Sequence, residues 1–310
     1  MKKWWQFWKQ SKDVNAKNRD GWTPLMLAAN EETIDHIRDL IAAGADINAK
    51  NYDGWTALMF AASRGNVDII RLLIDSAADV NATNNDGWTA LMFAANKESG
   101  DSVRALIAAG ADINATTQDS GSALMFAANV GNVDVLMELI SAGADVNAKN
   151  NDGWTALILA ATERSLGCIK ALIAAAADVN AKNNDGWTAL MDAASRRRVD
   201  IVRLLIDSGA DVNAKNNLGW TALMASIPMR QDLLMEWEEY GLSMEASIKD
   251  SSACIRALVA AGADVNAKNN DGWTALKYAS EKGTVESVCE LIDAGADVLI
   301  DVDDGESSVV

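Results

Sequence analysis

The chain has 310 residues and a formal net charge of -17, and this acidity disfavours a nucleic-acid partner because phosphates require a basic surface. No stretch reaches the roughly 20 apolar residues of a membrane span, and residues 1–8 lack the apolar core and cleavage site of a signal peptide. We therefore expect a cytoplasmic protein, with a membrane partner disfavoured.

Aromatic residues crowd the beginning of the chain. They are Trp4, Trp5, Phe7 and Trp8. Residues 2–10 fall where the second helix of a repeat would lie, so we predict that residues 1–17 form a capping half-repeat. The alternative is a membrane-interface anchor, because the neighbouring lysines could meet anionic lipid.

One phrase, Gly-Trp-Thr-Ala-Leu-Met, recurs along residues 18–301 with little change. Its leucine lies at Leu25, Leu58, Leu91, Leu124, Leu157, Leu190 and Leu223, spaced by 33 residues, and then at Leu276. A fixed period of this length indicates a solenoid, in which no unit can bury its apolar face alone. We predict eight copies, of which the seventh (216–268) carries an insertion of 20 residues. Residues 302–310 then form a truncated ninth copy.

A single copy, residues 51–83, predicts two helices. Thr56 is a good N-cap for a first helix of about eight residues, because its hydroxyl can accept a hydrogen bond from the first turn. The pair Gly65-Asn66 turns the chain. A second helix then carries Val67, Ile70, Leu73 and Ile74 on one apolar face. The segment leading to the next copy is rich in Asn, Asp and Gly, which favour tight turns.

These residues resemble the ankyrin repeat. The family pattern Asp-x-x-Gly-x-Thr-Pro-Leu-His-x-Ala-Ala, with its later Leu-Leu and Gly-Ala-Asp-x-Asn, matches residues 13–301 in register. The resemblance implies an all-α solenoid of antiparallel helix pairs with β-hairpin fingers. It also implies protein binding on the concave face, through the finger tips and the first helices. The uniformity of the copies is more similar to bacterial ankyrin proteins than to divergent eukaryotic ones.

The histidine of the family pattern is replaced in every copy. The substitutes are Met26, Met59, Met92, Met125, Ile158, Met191, Met224 and Lys277. Methionine can form an adaptable binding surface, but at a buried helical position it more often fills the core. We therefore predict apolar packing between copies at this position.

A tryptophan at position five of the repeat is the main candidate for partner binding. The tryptophan row consists of Trp22, Trp55, Trp88, Trp154, Trp187, Trp220 and Trp273, with Gly121 in the fourth copy. Tryptophan is enriched in binding hot spots. The alternative is that each indole packs on the next finger and ties the copies together. The gap at Gly121 is either a pocket for a partner side chain or ordinary drift.

Charged residues also recur in the fingers. Their aspartates are Asp20, Asp53, Asp86, Asp119, Asp152, Asp185 and Asp271. Lysines lie three residues earlier, at Lys17, Lys50, Lys149, Lys182, Lys215 and Lys268. We interpret both sets as maintaining solubility and finger spacing, since exposed ion pairs contribute little to stability.

The insertion, at about 228–247, is the one stretch outside the repeat pattern. Pro228 should end the preceding helix. Apolar residues then recur at helical spacing, and we add Trp237 and Tyr240 to the partner-binding candidates. An amphipathic helix here either packs on the array or binds a partner. Its acidic residues could also pair with the basic turn Arg196-Arg197-Arg198.

Nothing in the sequence favours catalysis. The one histidine, His36, lies on a predicted second helix, and we find no phosphate loop, metal-ligand spacing or catalytic pairing. The three cysteines are expected to be reduced apolar fillers. We therefore predict a non-enzymatic monomer without cofactor or metal that binds another protein. The alternatives are a membrane-apposed scaffold anchored by residues 1–12 and an elastic structural spacer.

Overall fold

The computed structural model describes residues 13–228 and 244–298, and within these ranges every regular element is a helix. The chain divides into two compact units, residues 1–177 and 178–310. The first unit contains α1 (Pro24–Asn30), α2 (Ile34–Ala42), α3 (Ala57–Arg64), α4 (Val67–Asp75), α5 (Ala90–Asn96), α6 (Gly100–Ala108), α7 (Ala123–Val130), α8 (Val133–Ser141), α9 (Ala156–Thr162) and α10 (Leu166–Ala174). The second contains α11 (Ala189–Ser195), α12 (Val199–Asp207), α13 (Ala222–Ala225), α14 (Met244–Ala260), α15 (Ala275–Lys282) and α16 (Val285–Asp293).

The first helix of each copy begins where the sequence predicts. In the second copy Thr56 Oγ1 accepts a hydrogen bond from the Met59 amide at 3.3 Å, which satisfies one of the free donors of the first turn. Gly65, in the left-handed conformation, ends the helix after eight residues. Asn66 then caps the second helix through its Oδ1, which accepts from the Ile69 amide at 3.2 Å. Local sequence therefore sets both helix starts.

The apolar positions of the two helices form the core. In the second copy the buried residues include Leu58, Met59, Ile70 and Leu73, each with at most 1% of its surface exposed. The residues that replace the histidine of the family pattern are buried in the first seven copies, as predicted. In the last copy Lys277 is exposed instead. Methionine thus fills space between copies, and lysine occupies the same position in the last copy.

Like helices pack on like helices within each unit. In the first unit the first helices α1, α3, α5, α7 and α9 contact one another in that order, and so do the second helices α2, α4, α6, α8 and α10. In the second unit the first helices α11, α13 and α15 contact one another in that order, and so do the second helices α12, α14 and α16. Within each unit, each copy therefore contacts its sequence neighbours, which is the packing of a repeat solenoid.

The fingers, which connect the second helix of one copy to the first helix of the next, differ from the prediction. The expected β-hairpins are absent from the described residues, where the only strand-like pairing is an isolated bridge between Thr116 and Ser122. A typical finger is instead a tight turn: the Asn51 amide donates to the Trp55 carbonyl oxygen at 3.0 Å, and the intervening Gly54 has φ +81°. One such closure is too short to build a ladder.

An asparagine in each finger joins two copies. Asn114 Oδ1 accepts from the Asp145 amide at 2.8 Å, and Asn114 Nδ2 donates to the Gly143 carbonyl oxygen at 3.1 Å. We call this side chain the inter-copy asparagine. It makes the same two bonds at Asn48, Asn81, Asn180 and Asn213. The position is polar because it satisfies backbone groups of the following copy.

Three predicted segments lie wholly or largely outside the described residues. They are the aromatic cap in residues 1–17, of which 1–12 are not described, the insertion helix near Trp237 and Tyr240, and the ninth copy after residue 301. At the edges of the insertion, α13 ends at Ala225, before Pro228, and α14 already begins at Met244.

The cysteines are free thiols, but one is not the filler that we expected. Cys168 and Cys254 are buried, and burial raises the pKa of Cys168 and raises that of Cys254 to about 12. Cys289 is exposed, because it lies on the outer side of α16, at a repeat position that is also exposed in other copies, for example at Arg71 and Met137. None of the helices in residues 13–228 and 244–298 combines the length and apolar character that crossing a bilayer requires.

Candidate functional site

The tryptophan row is fixed by the fingers. In the second copy Asn51 Oδ1 accepts the amide of Trp55 at 2.8 Å, and the next residue, Thr56, caps α3. The same asparagine bond holds Trp22, Trp88, Trp154, Trp187, Trp220 and Trp273. The seven tryptophans are half-buried. Each indole therefore starts from a rigid backbone position at the base of its finger.

The indoles of the first three copies stack on phenylalanines from the first helices. Phe60 lies between Trp22 and Trp55, with ring centroids 4.2 Å and 4.8 Å away. The arrangement repeats as Phe93 lies 4.3 Å from Trp55 and 4.9 Å from Trp88. The last contact of the series joins Phe126 and Trp88, whose ring centroids are 4.2 Å apart. We call these six side chains, Trp22, Phe60, Trp55, Phe93, Trp88 and Phe126, the aromatic ladder.

The ladder ends in the fourth copy for two reasons. Gly121 replaces tryptophan there, and the phenylalanine position becomes Leu159 in the next copy. A Cβ added to Gly121 would lie 3.1 Å from Phe126 Cζ, so the phenylalanine ring itself lies against the glycine. The gap in the row is thus filled from within the chain on that side. A pocket at Gly121 receives no support from this geometry.

The second unit has a shorter aromatic cluster of its own. Tyr278 on α15 lies 4.8 Å from Trp220 and 6.1 Å from Trp273 between ring centroids. The ammonium group of Lys277 lies over the Trp273 ring, 5.2 Å from its centroid, which is a cation–π geometry. A tryptophan of the row can therefore receive a cation on its face.

Four residues that the sequence analysis did not single out belong to this surface, three phenylalanines and Tyr52. Phe60 and its equivalents were missed as partners of the row, although their own 33-residue spacing was a signal for the ladder. Tyr52, beside the finger aspartate of the second copy, is 66% exposed. Of the predicted binding residues, Trp237 and Tyr240 lie outside the described residues.

The finger lysines bind backbone of the next copy. Lys17 Nζ donates to the Lys50 carbonyl oxygen at 2.8 Å, and Lys50 Nζ donates to that of Thr83 at 2.7 Å. Lys182 and Lys215 make the same contact in the second unit. These ammonium groups tie successive fingers together.

The basic turn between α11 and α12 contains an unusual arginine. Arg196 pairs with Asp192 at 3.2 Å, and buried Arg197 donates to the Ser195 carbonyl oxygen. The Nε and Nη1 atoms of Arg198 are buried without a hydrogen-bond partner. Buried donors without acceptors cost stability. The predicted pairing with the acidic insertion concerns residues that the structure does not describe.

Residues 13–228 and 244–298 hold no group of three or more His, Cys, Asp or Glu side chains placed to bind a metal ion. His36 lies on α2, the second helix of its copy as predicted, and is half-buried. The arrangement that the chain repeats is instead a set of aromatic rings and finger tips at fixed spacing.

Comparison with known proteins agrees with this architecture. A family model for ankyrin repeats, three copies long, matches residues 30–117, 91–183, 124–216, 175–237 and 239–301. A search among curated proteins found no match. Ankyrin repeats generally serve as protein–protein interaction modules, and the family is typically non-enzymatic. Because the matches together span most of the chain, this protein belongs to the ankyrin-repeat family.

Proposed function

We propose that the chain is a non-enzymatic module that binds a partner protein through the tryptophan row and the adjoining finger tips. The observation that carries this proposal is the half-burial of seven indoles held at one repeat position. Each keeps part of a large amphipathic ring accessible while its backbone is fixed by an asparagine. Rigid aromatic side chains lose little conformational entropy on binding, which suits them to hot spots.

The ladder supports the proposal because it orders the indoles in advance. Stacking on Phe60 and Phe93 restricts the ring of Trp55 from both sides. Packing and partner binding are therefore compatible roles for one ring: one part stabilises the array and the rest contacts the partner. Variants must separate the two roles.

The test compares Trp88→Ala, Trp154→Ala and Phe93→Leu in the full chain. Trp88→Ala should lower the free energy of unfolding by about 2–4 kcal/mol, because it removes stacking on two phenylalanines. Trp154→Ala should lower the free energy of unfolding by less, because the phenylalanine position of that copy is Leu159. Both tryptophan variants should capture at least tenfold less partner protein from a lysate, measured by affinity pull-down and mass spectrometry at a temperature where all variants are folded.

Phe93→Leu is the matched control, because it disturbs the ladder but keeps every indole. It should lose stability, and it should lose less capture than either tryptophan variant because every indole remains. If capture by the three variants follows their stabilities instead, or if Trp154→Ala captures the same proteins as the wild-type chain, the indoles serve packing alone and the proposal is wrong.

A further inference from the structure

The finger tips of the first unit carry carboxylates that nothing in the described chain neutralises. Asp20, Asp53, Asp86 and Asp119 are exposed, and their carboxylate groups form no hydrogen bond or ion pair with residues 13–228 or 244–298. Each aspartate lies two residues before the tryptophan position of its copy, so the two Cα atoms are within about 7 Å of each other. One unpaired negative charge therefore accompanies each copy of the aromatic ladder.

Positive charge is weakest where the ladder runs. The lysine position of the fingers is occupied by Thr83 and Thr116 between Lys50 and Lys149. The nearby Lys17 and Lys50 direct their ammonium groups to backbone carbonyl oxygens of the next copy. The third and fourth fingers thus present Asp86 and Asp119 without a lysine of their own.

The last copy shows that a cation can lie over a tryptophan of the row where no phenylalanine stacks on it. In the last copy the Lys277 ammonium group lies over the ring of Trp273. In the second unit the aspartate series is interrupted, since Leu218 stands in its place and is 63% exposed. The combination of half-exposed indoles and unpaired carboxylates in successive copies is therefore a property of the first unit.

We propose that the aromatic ladder and the carboxylates of Asp20, Asp53, Asp86 and Asp119 bind a basic, extended polypeptide segment of the partner protein. This inference rests on the proposed function and names the chemistry of its partner. Arginine suits the site because its alkyl stem can pack on the accessible part of an indole while its guanidinium donors reach a carboxylate. Removing these charges from water between partner surfaces strengthens their attraction.

The repeat spacing sets the spacing of the basic residues. Successive indoles share one phenylalanine ring within 4.9 Å of each, so they are less than about 10 Å apart. A polyproline II segment rises about 3.1 Å per residue with three residues per turn. Arginine at every third position would thus occupy one face and advance by about 9 Å, matching one copy per step.

The experiment titrates the full chain with fluorescent twelve-residue peptides and follows anisotropy at low salt. The first peptide contains four Arg-Pro-Ala units, the second has the same composition with its four arginines adjacent, and the third replaces arginine by glutamate. The first peptide should bind at least tenfold more tightly than the second, and the third should not bind. Equal affinity for the first two would overturn the proposed spacing and with it the inference.

Two variants with the same change in net charge test where on the chain the peptide binds. Asp20→Asn, Asp53→Asn, Asp86→Asn and Asp119→Asn together should weaken the first peptide at least tenfold. The control replaces the exposed carboxylates of the second helices, Asp39, Asp68, Asp75 and Asp134, by Asn and should change affinity less than twofold. Similar loss in both variants would show a general charge effect and overturn the inference.

The inference can fail while the proposed function survives. If the tryptophan variants lose partner capture but the finger variant keeps both capture and peptide binding, the indoles bind a partner without the help of the finger carboxylates, and the inference is wrong. If the finger variant alone loses capture, the carboxylates bind and the indoles serve packing.

Discussion

At the scale of single residues, the polar positions of the repeat are explained by bonds between copies. The inter-copy asparagine Asn114 bonds two backbone groups of the following finger, at Asp145 and Gly143. Both groups are polar and would otherwise need water. The amide side chain satisfies both at once, because its oxygen accepts from one group while its nitrogen donates to the other.

Asn114→Ala should lower the free energy of unfolding by about 1–3 kcal/mol, since two hydrogen bonds are lost. Equilibrium urea unfolding followed by circular dichroism measures this change. The control is Asn129→Ala on α7, an exposed asparagine outside the finger, which should stay within about 0.5 kcal/mol of the wild-type chain. Equal effects of the two substitutions would show that the asparagine bonds contribute nothing net.

A second residue-scale feature is the left-handed turn after each second helix. Gly44 has φ +84°, whereas the equivalent Ala77 has φ +66°. Alanine is strained in this region because its Cβ approaches the following carbonyl oxygen. A Cβ added at Gly44 would meet no atom within 4 Å, so only backbone strain distinguishes the two residues there.

Exchanging these residues should therefore have opposite effects. Ala77→Gly should raise the free energy of unfolding by about 0.5–1 kcal/mol, and Gly44→Ala should lower it by a similar or larger amount. Thermal unfolding of the two variants beside the wild-type chain gives the signs. Destabilisation by Ala77→Gly would mean that the entropy of the unfolded chain outweighs the strain.

At the scale of helices, the insertion changes the two elements that flank it. The first helix α13 has 4 residues, and the second helix α14 has 17. The regular copies have first helices of 7 or 8 residues and second helices of 9. Even so, Cys254, Ile255 and Leu258 of α14 are fully buried at the usual repeat positions. The inserted residues thus lengthen the outer helix without shifting its register.

Deleting residues 229–246 should accordingly leave a folded chain with one cooperative unfolding transition. The removed stretch contains no residue at a core position of the repeat. A matched deletion of 18 residues, 123–140, removes α7 and nearly all of α8 and should abolish cooperative unfolding of the first unit. Circular dichroism during thermal unfolding distinguishes the two. If the first deletion behaves like the second, the insertion belongs to the core.

The helices were the most predictable part of the fold. Thr56 and Pro24 mark helix starts through local bonds and backbone restriction, so the sequence was sufficient. The fingers were not predictable in the same way. The expected β-hairpins are single turns instead. In the second copy, for example, Asn51 Oδ1 accepts from the amides of Asp53 and Trp55, and these bonds close the turn without a strand ladder.

At the scale of the whole molecule, stability depends on contacts between neighbouring copies. The buried alanines Ala61 and Ala62 let adjacent first helices approach, and Met59 fills the space between them. In the last copy the exposed Lys277 occupies this position and places its charge over Trp273. The same repeat position therefore serves the core or the surface according to what packs against it.

The candidate surface was only partly predictable. The 33-residue period reveals both the tryptophan row and the phenylalanine positions, but it does not show which phenylalanine contacts which indole. Phe93 contacts both Trp88 of its own copy and Trp55 of the preceding copy. Trp55 is farther away along the chain, and only the stacking of copies brings its ring centroid to 4.3 Å from that of Phe93. The finger carboxylates lack a partner among the described residues in part because Lys50 donates to the Thr83 backbone carbonyl oxygen.

By itself, the sequence determined the 33-residue period, the helix starts and the residues that fill the core, because these depend on local bonds and on a period of apolar side chains. Tertiary structure decided which indoles share a phenylalanine, which lysines donate to backbone carbonyl oxygens, and which carboxylates lack a partner among the described residues. Those contacts join residues about one repeat apart, and a period shows that copies are equivalent without showing which of their surfaces meet.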